Sequence, residues 1–180
     1  MTVPTSYSQL WPGGEARPQI PRLADERSTL TGYLDWQRAT FELKCRGVAG
    51  QRLSERTVPP SSMSLHGLLR HLSGVERYWF QQQFLRADVP MLYYTDEDPD
   101  QDFESLDGDI EQAFAIWHAE CARSREIVAA AGSLADTGRF LQDDAEFSLR
   151  WLMLRMIAEY ARHNGHADLL RERIDGTVGH

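Results

Sequence analysis

The residues of this chain best suited to chemistry lie in the stretch Glu159-Tyr-Ala-Arg-His163-Asn-Gly-His166-Ala-Asp168. Glu159 and His163 are four apart, so on a helix they stand one turn above each other on one face. His166 falls on the same side; at about 100° per residue the three span a wedge of roughly 60°. The wedge borders an apolar stripe of Leu149, Leu152, Met156, Tyr160, Ala167 and Leu170. An acid and two imidazoles at the edge of a buried stripe are costly unless they are paired or bound to something. Coordination of a divalent metal would satisfy them. An ion pair along one helix would satisfy the Glu159 and His163 spacing equally well.

Three donors on one helix rarely converge on one ion, so a metal site needs a donor from a second helix. His71 qualifies if its helix faces the one carrying Glu159 and His163. It lies about 60° off its own apolar stripe of Leu65, Leu68, Leu72, Val75 and Trp79. Two imidazoles and one carboxylate leave coordination positions open, the arrangement of a catalytic rather than a structural centre. A hydrogen-bonded histidine near the core is the plainer reading of His71 taken alone.

Four amphipathic helices must position these groups. The first is expected from about residue 24 to 46, ending at Gly47, with a stripe of Leu23, Leu30, Leu34, Phe41 and Cys45. The second follows Val58-Pro-Pro, with Ser61 or Ser62 as cap, and runs to about Arg86. The third spans about Asp109 to Ala131, and the fourth runs from Ser148, its cap, to near Gly176. Two long connections join them, and Thr137 to Leu141 allows a short extended piece. This pattern predicts an all-α, four-helix-bundle domain over residues 23–180, preceded by an extended, Pro-containing arm over 1–22.

At 180 residues the chain is long enough for one well-filled core. Its net charge of −8 argues against nucleic acid or an anionic membrane as partner, and a small-molecule substrate is the expectation. No apolar run approaches the length of a membrane span, and the first residues lack a secretory pattern, so a cytoplasmic protein is expected. Cys45 and Cys121 read as reduced helix residues.

The quoted residues resemble a family. Ser64-Leu-His-Gly-Leu-Leu-Arg-His71-Leu-Ser-Gly-Val-Glu-Arg-Tyr-Trp looks like the second helix of the DinB-like superfamily, and Glu159 to Leu170 looks like its last. Leu34-Asp-Trp-Gln-Arg38 resembles the opening helix of an actinobacterial branch, and the likeness covers residues 23 to 176. Many members carry three histidine ligands. Here a glutamate stands at the middle place, as in the mycothiol-dependent maleylpyruvate isomerases.

The resemblance implies a DinB-like bundle that pairs as a homodimer, with His71, Glu159 and His163 as metal ligands. It implies zinc ahead of nickel or iron, and mycothiol as cosubstrate of a thiol S-transferase or isomerase in which the metal activates a thiolate. His166 and Arg171 are then candidates for steering protons or an anionic group. The same ligands suit a non-haem iron oxygenase. A non-catalytic stress protein binding a metal or small molecule is the third reading.

Other features stay outside the site. Asp96, Asp98, Asp100 and Asp102 alternate, but the pattern lacks the glycine and distal glutamate of a calcium loop and reads as a solvated acidic segment. His118 reads as a near-core histidine, and His66 and His180 as exposed. Trp151, opposite the main stripe of its helix, reads as a contact for a second copy or for the N-terminal arm.

Overall fold

The computed structural model describes residues 17–178 except 96, 105, 107 and 108. Most of the expected N-terminal arm, and His180, therefore lie outside the described residues. The chain is all-α, a helical bundle with one small hairpin among the described residues. The helices are α1 (Glu26–Cys45), α2 (Leu65–Glu76), α3 (Gln101–Glu104), α4 (Ile110–Ala130) and α5 (Leu149–Asp175); β1 (Thr137–Arg139) pairs antiparallel with β2 (Glu146–Ser148). Packing divides the chain into two units, Met1–Leu65 with Met156–His180, and His66–Arg155, so α5 contributes to both.

In the first unit, Asp25 caps α1: its carboxylate accepts from the backbone N–H of Ser28 at 2.9 Å. Ser28 is also the main reason that the Asp25 carboxyl lies below its ordinary pKa. The helix stops where Gly47 takes a φ of +78°, a conformation open to glycine. Leu34, Phe41, Leu43 and Cys45 are buried, whereas Leu23, expected on this stripe, precedes the cap and is fully exposed.

The C-terminal half of α5 is tied to α1 in parallel. The Asn164 amide donates to the Gln37 backbone carbonyl and side-chain oxygen at 3.0 and 2.7 Å. Seven residues on, Lys44 pairs with Asp168. Arg171, 2 % exposed, donates to the carbonyls of Lys44 and Arg46 at 2.8 and 2.7 Å and to the Asp175 carboxylate. The carbonyls at the end of α1 thus find a guanidinium. Of the expected arm, residues 17–22 are described, and the Arg17 guanidinium lies 4.5 Å from the centre of the Trp36 ring.

In the second unit, α2 begins at Leu65, later than the Ser61 or Ser62 cap expected from sequence; Ser61 instead accepts from the Met63 N–H. Beyond Glu76 the helix continues as π-helix over Arg77–Phe84, and Leu85 N–H bonds the Phe80 carbonyl at 3.2 Å. The buried face has already passed to Ser73 and Glu76 before this segment begins. Phe80 and Gln83 are fully buried, while Trp79, expected on the stripe, is only partly buried.

Trp79 packs instead against the hairpin, with Phe140, Phe147 and Trp151 at ring centroid distances of 6.0, 6.1 and 5.6 Å. Trp151 therefore belongs to an aromatic cluster within its own unit. The second strand of the hairpin was not expected. Gly138 is required there: a Cβ would stand 2.7 Å from the Phe84 Cα. On α4, Glu120 is buried and accepts from Arg77 and from Gln81, fixing α4 to the π-helical segment.

Phe41 has no exposed surface. Phe41→Ala should destabilise the protein by about 3–5 kcal/mol through lost burial and a residual cavity. Urea unfolding of the two proteins measures the difference.

Candidate metal centre

His71 lies one and a half turns into α2, and Glu159 and His163 lie on successive turns of α5. One donor atom from each of the three lies within 4.8 Å of the others. This is the group expected from sequence, and among the described residues it is the one cluster of such side chains with metal-binding geometry. Glu159 and His163 are 5 % and 7 % exposed, whereas His71 keeps a fifth of its side chain open.

The Glu159 Oε1 lies 3.1 Å from His163 Nε2. Arg162, mostly exposed, approaches the other Glu159 oxygen at 3.8 Å. The pairing along one helix that rivalled metal binding in the sequence is thus present, and a ligand atom of His71 lies within 4.8 Å of both.

The His71 ring is held from behind. Its Nδ1 lies 2.8 Å from Asp102 Oδ2, and the Phe103 ring is tilted against it at 5.1 Å. Asp102 is 3 % exposed. The reading of a solvated acidic segment is therefore corrected at its last member: α3 turns Asp102 inward. Asp96 lies outside the described residues, and Asp98 and Asp100 are exposed. No spacing in the sequence separates Asp102 from its acidic neighbours; the adjacent Phe103, which needs burial, is the available signal.

His166 is outside the triad, with Nδ1 3.4 Å from His163 Nδ1 and the rings 72° apart. Burial lowers its pKa, the charges of His163 and Arg162 lower it further, and Glu159 opposes them. Arg171 is buried among the end of α1 and Asp175. His66 is buried, not exposed, and burial lowers its pKa, followed by the Arg70 charge. His118 is exposed rather than near the core, its ring beside Trp117.

The donor set suits a divalent metal of the zinc, nickel or iron kind: two imidazoles and a carboxylate on helices, with one imidazole already oriented by a carboxylate. Both cysteines are buried, and burial pushes the Cys45 thiol up to about 12.

Glu159→Ala and His163→Ala should each reduce the metal retained after loading and desalting from stoichiometric to near zero by elemental analysis. Unchanged content in either would remove that residue from the centre. Arg171→Ala should leave metal content unchanged and cost about 3–5 kcal/mol in urea unfolding, because it strands a buried partner network.

The family model described as mycothiol-S-transferase matches residues 29–176 of the chain. No curated protein matches it.

Proposed function

Since the chain belongs to the mycothiol-S-transferase family, we propose that it is a metal-dependent enzyme that joins the sulfur of a low-molecular-weight thiol, mycothiol, to a small electrophilic substrate. The observation that carries this reading is the convergence of His71, Glu159 and His163 within 4.8 Å. A bound divalent metal, zinc ahead of nickel or iron, would supply the positive charge that makes a thiol acidic at neutral pH.

The chain's own groups have separable tasks. His71 and His163 offer ring nitrogens, and Glu159 offers a carboxylate oxygen. His71, the most open of the three, marks the side from which substrates approach. His166, 3.4 Å from His163, is the neighbouring imidazole that would receive or return a proton when substrate is bound. We assign Arg171 no step, because its donors are engaged by carbonyls and Asp175.

Both cysteines are buried, and burial pushes the Cys45 thiol up to about 12. On this reading the sulfur comes from a free thiol as cosubstrate. A cytoplasmic homodimer belongs to the same proposal; the homodimer rests on the likeness to DinB-like bundles alone, and the cytoplasm on the sequence pattern.

The test is conjugation of mycothiol to a generic electrophile such as monobromobimane by metal-loaded protein. Conjugate should form above the uncatalysed rate, fall to background on chelation or with Glu159→Ala, and persist in the Cys45→Ala/Cys121→Ala double variant. Thiol-independent, oxygen-dependent turnover by iron-loaded protein would overturn the proposal in favour of oxygenase chemistry.

A further inference from the structure

We infer that Asp102 is a positioning residue for the metal centre, fixing the tautomer and direction of His71, and that α3 exists to present it. The inference rests on the metal reading of the triad.

A buried carboxylate is expensive unless it is paired. Asp102 is 3 % exposed, and Oδ2 lies 2.8 Å from His71 Nδ1. Among the described residues its other oxygen, Oδ1, is buried without a hydrogen-bond partner. The side chain therefore neither caps a helix nor closes a turn through the atoms described. Its one recorded hydrogen bond is to a residue of the triad.

An imidazole has two ring nitrogens, and in its neutral form one donates while the other accepts. With Asp102 Oδ2 accepting from Nδ1–H, the lone pair is left on Nε2, the nitrogen remaining for a metal. The same contact makes the imidazole a stronger donor and stops rotation of the ring.

α3 is only four residues long, yet three of its contacts converge on one turn of α2. Arg70 donates to the Gln101 carbonyl at 3.2 Å, Asp102 holds His71, and Phe103 lies against the His71 ring. Arg70 is itself placed over the Tyr93 ring, 4.6 Å from its centre. A segment too short to be stable alone is thus clamped at the residue before His71 and at His71 itself. Such a clamp explains why an acidic connection turns inward at this single position.

The experiment is metal affinity measured by competition with a chromophoric chelator for Zn²⁺, on wild type, Asp102→Asn and Asp102→Glu. It is accompanied by ¹⁵N spectra of the histidine rings and by thermal unfolding of the metal-free proteins. Asp102→Asn keeps the shape and removes the charge, and should weaken Zn²⁺ binding about 10–100-fold while leaving the metal-free unfolding midpoint unchanged. The His71 ring should then lose its fixed Nδ1–H tautomer, and Asp102→Glu should recover part of the affinity. Equal affinity in wild type and Asp102→Asn would overturn the inference while leaving the triad intact. Failure of the wild type itself to bind Zn²⁺, Ni²⁺ or Fe²⁺ would overturn the metal reading first and this inference with it. A lowered midpoint with unchanged affinity would make Asp102 a structural residue and overturn the inference alone.

Discussion

The constraint on which this structure turns is the burial of a carboxylate and an imidazole one helical turn apart. Glu159 and His163 are almost closed to water, and groups of this kind are kept inside a protein only where something satisfies them. Their pairing at 3.1 Å satisfies part of that demand. A ligand atom of His71 lies within 4.8 Å of both, a grouping that could hold a metal ion. The remaining polar residues of α5 serve the aim of this pair. Asn164, Asp168 and Arg171 recur at spacings of four and three, which puts them on one face, and all three bind α1. Counting about 100° per residue, Asn164 lies roughly 140° around the helix from Glu159. Three anchors on one face fix the rotation of α5, and that rotation fixes where the donors on another face point.

The ties to α1 are unusually polar for a helix contact. Lys44, the lone lysine of the chain, is 1 % exposed. Burial lowers its pKa, and Asp168 raises it in partial compensation. Ionic contacts of this kind specify register more than they stabilise, since a hydrophobic pair of equal volume would pack as well without desolvating charge. Register is what a metal centre needs, because its donors must be held far more precisely than a core of interchangeable aliphatic side chains.

Much of the fold was legible in the sequence for local reasons. Gly47 and Gly176 end their helices at positive φ, Asp25 and Asp109 begin them, and Leu34, Phe41 and Cys45 of α1 and Trp117, Cys121 and Val128 of α4 are buried on the expected stripes. The triad was legible because Glu159 and His163 stand one turn apart on one face of a helix and His71 flanks a stripe. What escaped depends on non-local packing. His66 looked polar by angle, yet it is buried like the whole first turn of α2. Asp102 is identical in type to its exposed neighbours and differs only in what folds over it. The strand Glu146–Ser148 is too short for a period to emerge, and its pairing is set by Phe147 and Gly138 meeting Phe84.

The π-helical segment after Glu76 reconciles two demands on one helix. His71 needs a regular helix around it, so that its flank position is fixed by the fully buried Leu68 and Leu72. Further along, Glu76 and Phe80 are fully buried, and Trp79 meets Phe140, Phe147 and Trp151. Arg77 and Gln81, both bound to the buried Glu120, hold the altered winding against α4. A π-turn is intrinsically unfavourable and persists where its surroundings compensate. Here the compensation is an aromatic cluster on one side and a charged anchor on the other, and neither disturbs the turn that carries His71.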